Sequence, residues 1–186
     1  CKIREGKRGI CQVRFNQGGE LRVPWGYVAA LQSDPIEKKP FFHVLPSTQA
    51  FSIAAAGCNL RCLNCQNWQI SQVGPEETEN EDLMPAAVVE RCVASGCRSI
   101  AYTYSEPTTF YEYTVDTARL ARARGIRSLL KSNGYINEEP LRRLCGVLDA
   151  ANIDLKSFDT SVYTRLSGGS LAPVLRTLEV LCQEGV

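Results

Sequence analysis

Apolar and polar positions follow two different rhythms along this chain of 186 residues. Over residues 1–48 no helical period emerges. Cys11–Phe15 and Glu20–Val23 alternate apolar and polar positions on either side of Asn16-Gln17-Gly18-Gly19, which predicts a hairpin. Pro24, Pro35, Pro40 and Pro46 then predict an extended, loop-rich stretch. From residue 49 on, short apolar runs alternate with longer stretches of helical character. The short runs predict strands over 51–56, 98–103, 126–131 and 150–155. The longer ones predict helices over 84–95, 108–124, 137–147 and 171–184, with a short extra helix over 159–166. End signals agree: Asn137 followed by Glu138, Glu139 and Pro140 marks a helix start, and Gly125 closes the helix that carries Arg122 and Arg124 in its last turn.

Strand–helix alternation at this spacing predicts βαβ units and a parallel sheet. Four units, with a fifth strand due after the last helix, fit an α/β fold: a partial (β/α) barrel over 49–186 behind a small hairpin- and loop-rich accessory segment over 1–48. A doubly wound sheet is the alternative, since the pattern does not reveal closure. The chain starts at Cys1, has Met84 as its single methionine and stops where a helix has finished, so it reads as an internal piece of a longer protein.

Composition narrows the class. Hydrophobic residues make up 44% and charged residues 22%, with a formal net charge of +1, as in an ordinary globular domain. Near-neutral charge speaks against nucleic acid or a membrane surface as partner. No apolar run approaches the roughly 18 residues of a membrane span, and the basic start CKIREGKRGI is no signal peptide. Nine cysteines in such a chain predict a reducing, cytoplasmic setting rather than disulfides. The single histidine, His43, leaves little scope for a Ser–His or Cys–His hydrolase.

Candidate chemistry concentrates in GCNLRCLNCQN. Cys58, Cys62 and Cys65, spaced C-x3-C-x2-C, follow an apolar strand and Gly57, whose missing side chain would let the backbone approach a bound group. Three close thiolates at a strand end suit a [4Fe–4S] cluster with one iron left open for chemistry. A structural zinc site with a fourth ligand from elsewhere, or cysteines that simply pack, are the alternatives.

With this motif the chain resembles radical S-adenosylmethionine (SAM) enzymes. The stretch from Asp34 to Gln72, with DPIEKKP and CQN-x-x-ISQ as its most specific portions, resembles the group related to pyruvate formate-lyase activating enzyme. Within that group it is most similar to the radical SAM member of the AmmeMemoRadiSam system. Asn64 stands where radical SAM proteins often carry an aromatic residue. The resemblance implies a [4Fe–4S] cluster on Cys58, Cys62 and Cys65, with SAM as the second cofactor. It implies that SAM is cleaved to a 5′-deoxyadenosyl radical, which abstracts hydrogen from an unidentified substrate, a protein among the candidates. A flavodoxin- or ferredoxin-like electron donor is implied as partner. A glycyl-radical activase is the alternative within the enzyme class, and a non-catalytic metal-binding protein the alternative outside it.

The same resemblance implies SAM-binding residues at three further strand ends. Tyr104-Ser105-Glu106-Pro107 matches a GGEP-like segment, with Ser105 and Glu106 as acceptors for the amino group of SAM. Ser105 as a helix N-cap ahead of Pro107 is the structural counterpart. Asn133 in KSNG, and Asp154 and Lys156 in DLK, fall beside SAM on the same grounds. As residues i and i+2, Asp154 and Lys156 share a strand face, where they form either a ligand contact or a plain salt bridge. Lys131 stands where activating enzymes often carry Asp, and reads either as a fixed positive charge in place of a bound cation or as a solvent-facing lysine at a strand end. Of the other cysteines, Cys1 and Cys11 flank a basic loop and read equally as free thiols or as part of a second metal site. Cys92, Cys97, Cys145 and Cys182 read as core packing.

Overall fold

The computed structural model describes residues 2–186, so any role of Cys1 lies outside the described residues. At the front, β1 (Phe15–Gln17) and β2 (Glu20–Arg22) pair antiparallel. The hairpin is tighter and later than predicted. Only Gly18 and Gly19 separate the strands, at φ 65° and 79°, as a type I′ turn requires. Cys11–Arg14 is a turn rather than a strand: the Arg14 N–H donates back to Cys11 Sγ at 3.5 Å.

The proline-rich stretch holds more order than its composition predicts. Beyond β3 (Tyr27–Val28), β4 (Ala30–Pro35) pairs antiparallel with β5 (Gln49–Ala54), from Ala30 opposite Ala54 to Pro35 opposite Gln49. Proline is tolerated there because β4 is an edge strand and Pro35 is its last residue. The one-turn helix α1 (Trp68–Ser71) comes after the cysteine loop, and β6 (Glu81–Asp82) pairs back onto β3.

The remaining elements fall where the periodicity puts them: α2 (Pro85–Ala94), β7 (Ser99–Tyr102), α3 (Tyr111–Ala123), β8 (Arg127–Ser132), α4 (Glu138–Cys145), β9 (Ala150–Ile153), α5 (Thr160–Ser167) and α6 (Leu171–Glu184). The main sheet has the order β4-β5-β7-β8-β9, and its last four strands are parallel. Successive parallel strands always add at the same edge, without the reversal that defines a doubly wound sheet.

Burial explains why the strands read as apolar runs. Ile100 and Tyr102 of β7 enter one core cluster with Val88, Val89 and Cys92 of α2 and Tyr113 of α3. Ala101 points the other way, into a second cluster with Ile36, Phe41, Ala50 and Leu129. A strand covered on both faces shows no alternation. Gly125 at φ 69° closes α3, with the Ile126 N–H bonded to the Ala121 carbonyl at 3.0 Å in a Schellman arrangement. Asn137 precedes α4, but its side chain makes no capping bond. Cys92, Cys97 and Cys145 are buried, whereas Cys182 is exposed. The buried stripe of α6 runs through Val174, Thr177, Val180 and Leu181, and Cys182 lies past its border. No described helix is long and apolar enough to cross a membrane.

Candidate active site

Parallel strands have all their carboxyl ends on one side, and here the segments after β5, β7, β8 and β9 line one cavity of about 660 Å3. Its wall contains Cys58, Cys62 and Cys65 together with Ser105, Glu106, Asn133, Asp154 and Lys156. The structure thus brings together all eight residues singled out in the sequence. What each one does there differs from residue to residue.

The cysteine loop leaves β5 through Gly57 at φ 87°. A Cβ built on Gly57 would stand 2.0 Å from Val13 Cγ2 and 2.3 Å from the Cys11 carbonyl oxygen. The missing side chain therefore makes room for the amino-terminal segment, not for a bound group as expected. Cys58 Sγ accepts the Leu60 N–H at 3.4 Å and Asn133 Nδ2 at 3.6 Å. Cys65 Sγ lies 3.0 Å from Ser71 Oγ. Burial, and next the Glu106 charge, push the Cys58 thiol up to about 12. Burial also raises the Cys62 thiol, with Lys156 opposing. Such thiols carry protons in the metal-free protein and release them on ligation. Among the described residues no three Cys, His, Asp or Glu side chains converge as a single ion would require.

Ser105 is not the N-cap: its Oγ donates to the Ala55 carbonyl at 2.6 Å, which leaves its lone pairs for the cavity. The cap is Glu106, in extended geometry ahead of Pro107. Glu106 is 1% exposed and accepts from Thr108 N at 3.0 Å, Ser132 Oγ at 2.8 Å and Asn133 N at 2.8 Å. Three of about four acceptor positions are thereby used inside the wall. Burial raises its carboxyl pKa, and these donors oppose the rise. Asn133 is likewise turned to the protein. Its Nδ2 donates to Asn59 Oδ1 at 2.8 Å and its Oδ1 accepts from Tyr135 N at 2.8 Å, locking the cysteine loop to the end of β8.

The third group carries charge. Lys156 Nζ pairs with Asp154 Oδ2 at 2.8 Å, but not across a strand face as expected, since β9 ends at Ile153 and both residues lie in the segment beyond it. Lys131 is not a solvent-facing lysine: Nζ donates to Asn152 Oδ1 at 2.7 Å and pairs with the other oxygen of Asp154. Burial raises the Asp154 carboxyl, but the two ammonium groups outweigh it and hold the pKa below the usual range. Burial disfavours the charged Lys156, yet Asp154 more than compensates and raises its pKa. Two cations share one anion, so a net positive charge faces the cavity.

Sequence reasoning missed a fourth constellation. Asp34 of β4 binds Lys38 Nζ and Lys39 Nζ, each at 2.7 Å, and accepts the Tyr104 hydroxyl. Lys39 Nζ also lies 3.0 Å from Tyr104 Oη and 4.1 Å from the centre of its ring. Tyr104, where the GGEP-like pattern has glycine, sits at φ 62°, and Asn67 Nδ2 holds its carbonyl at 2.8 Å. Left-handed backbone in a bulky residue costs on the order of 1–3 kcal/mol, and these contacts hold it in place. Lys38, Lys39 and Tyr104 all line the cavity. The signal was DPIEKKP, conspicuous as a motif but silent about what its charges touch.

Fold and site define an α/β protein with three cysteines and paired charges at the carboxyl ends of parallel strands. The family model of the radical SAM superfamily matches residues 52–186, and the chain belongs to that superfamily. Membership implies an enzyme that uses an iron–sulfur cluster and SAM. The chain is 44% identical to the uncharacterized protein MJ0808 of Methanocaldococcus jannaschii, over all of this chain and 55% of that protein. It is 28% identical, over 67% of its own length and 48% of the relative, to a Haemophilus influenzae protein whose name assigns it provisionally to glycyl-radical enzyme activation. The chain thus spans about half the length of these relatives. Among solved structures, TYW1 with a lysine-pyruvate adduct bound is similar in fold, with a TM-score of 0.53 at 19% identity over 78% of this chain and 56% of that one.

Proposed function

We propose that Cys58, Cys62 and Cys65 hold a [4Fe–4S] cluster with one iron open to SAM, and that the protein is a hydrogen-abstracting radical SAM enzyme. Convergence carries the reading: the cysteine loop and the charged strand ends share one cavity. The residues fit such a group, because thiolates are the donors it needs, N–H groups point at the Cys58 sulfur and the Ser71 hydroxyl lies beside the Cys65 sulfur. When bound, the two cofactors supply one-electron cleavage of SAM to methionine and a 5′-deoxyadenosyl radical, which takes a hydrogen atom from the substrate.

The chain's own residues place SAM and shield it. Lys131 and Lys156, held by Asp154, offer ammonium groups to its carboxylate, with Lys131 as a fixed cation in place of a bound one. Ser105 offers lone pairs to its amino group. Glu106 and Asn133 act by fixing the loops. In this reading β5 to β9 begin a (β/α) barrel, and residues 1–48 form an accessory segment that closes one wall through Lys38 and Lys39. The eight described cysteines are all free, which suits a reducing, cytoplasmic setting, and the cluster would take its electron from a flavodoxin- or ferredoxin-like donor. A second reading, activation of a glycyl-radical partner protein, draws on the name of the Haemophilus influenzae relative.

Anaerobic reconstitution of the full-length protein with iron and sulfide tests the reading. About four irons per chain are expected, and none that bind SAM after Cys58, Cys62 and Cys65 are replaced together by Ala. Reduction with dithionite should release 5′-deoxyadenosine and methionine from SAM. Stoichiometric zinc, or no turnover of SAM, would sink it, and methylthioadenosine would mean that a different bond breaks. A glycyl-radical signal on an added partner protein would decide for the second reading.

A further inference from the structure

We propose that Arg61, Gln72 and Ser71 form a directed hydrogen-bond relay that ends on the Cys65 sulfur and raises the reduction potential of the cluster held there. The proposal rests on the reading of the three-cysteine loop given above. Ser71, the last residue of α1, is 2% exposed, and its Oγ is 3.0 Å from Cys65 Sγ. That is the shortest polar contact to any of the three sulfurs; the donors to Cys58 stand at 3.4 and 3.6 Å. Gln72 Nε2 lies 3.3 Å from Ser71 Oγ, and Gln72 Oε1 lies 2.7 Å from Arg61 Nη1.

Donor chemistry fixes the direction of every bond. A guanidinium only donates, so Gln72 must present its oxygen to Arg61 and its NH2 group to Ser71. A ligating thiolate has no hydrogen. The Ser71 hydroxyl, already accepting from Gln72, must therefore give its hydrogen to Cys65. The second arm of Arg61 donates to the Ile10 carbonyl, which anchors the far end on the amino-terminal segment. A charged donor at the head polarises each bond after it.

Hydrogen bonds to cluster sulfurs are among the determinants of potential. Reduction adds one negative charge to the cluster, and a donor to its ligand favours that state. The relay moves no proton and needs no reactant beyond the external electron donor. It also gives the CQN-x-x-ISQ motif a physical role, through the serine and glutamine at its end.

Redox titration of the reconstituted full-length protein, followed by the paramagnetic signal of the reduced cluster, tests this directly. Ser71→Ala should keep its iron but lower the reduced-to-oxidised ratio three- to tenfold at a fixed potential, a shift of up to about 59 mV for one electron. Ser71→Thr, which keeps the hydroxyl, should restore the midpoint, and Gln72→Ala should give a smaller shift of the same sign. An unshifted midpoint in iron-replete Ser71→Ala, or an equal shift in Ser71→Thr, overturns the relay. Should Ser71→Ala hold no iron, Gln72→Ala decides, and an unshifted midpoint there overturns it. A wild type that assembles no cluster would overturn the reading of the cysteine loop itself, and the relay with it.

Discussion

Two carboxylates in the cavity wall look alike in the sequence and act differently. Glu106 is saturated by donors from its own loop and from the end of β8. Glu106→Gln turns one acceptor into a donor facing another donor, and should cost about 1–3 kcal/mol in urea unfolding. A variant as stable as wild type that loses SAM binding would show the carboxylate to be a ligand contact instead. Asp34 neutralises Lys39, whose side chain is only 4% exposed. Asp34→Asn leaves that ammonium unpaired and should cost about 3 kcal/mol at pH 7. Burial raises the Asp34 carboxyl, but Lys38, Lys39 and Tyr104 together hold it well below its ordinary 3.8. Its contribution is therefore complete above 3.8 and is lost as pH falls toward the depressed folded value. The gap between wild type and Asp34→Asn should accordingly narrow on acidification below about 3.8. Residue types and spacing made the cysteines and strand-end charges legible, because each motif is local. Hydrogen-bond direction was not, because beside their near neighbours Glu106 is met by Ser132 and Asn133, 26 and 27 residues on, and Asn133 by Asn59, 74 residues back.

At the scale of elements, legibility followed burial. β7 and β8 read clearly because both faces are covered: every residue of β7 is buried, and Leu129 and Leu130 give β8 a buried apolar centre between polar ends. β4 did not: most of its residues are partly or fully exposed, it ends in proline, and among the described residues its only sheet partner is β5, beyond a loop. Cys11 and Val13 also grip the cysteine loop at Gly57, a contact set by two stretches more than forty residues apart in sequence. Gly57→Ala combines a left-handed backbone with a Cβ inside Val13 and the Cys11 carbonyl. It should destabilise by more than about 1 kcal/mol. Adding Val13→Ala should recover only part of the loss, since the carbonyl clash and the backbone strain remain. Full recovery in thermal or urea unfolding would mean that the segment yields freely and does not brace the loop.

Across the molecule, four separate loops and the Lys38–Pro40 strap share a single cavity, so a ligand there touches elements that otherwise meet only through the sheet. Asp154 is the clearest joint, because Lys131 reaches it from β8 while Lys156 reaches it from beyond β9. A ligand bound to the folded state alone stabilises it by about 2.7 kcal/mol at a hundred times its Kd. If the proposed site is right, that stabilisation is spread over all the walls. Adding SAM to the cluster-loaded full-length protein should slow amide hydrogen exchange in the segments after β5, β7, β8 and β9 and in Lys38–Lys39 together. Asp154→Asn releases both lysines from their shared anion. It should weaken this response by the about 1–3 kcal/mol of a charge-assisted contact, while leaving the cluster spectrum unchanged, since Asp154 is not among the cysteine ligands. Protection confined to the cysteine loop would separate cluster binding from the rest of the cavity and place SAM elsewhere.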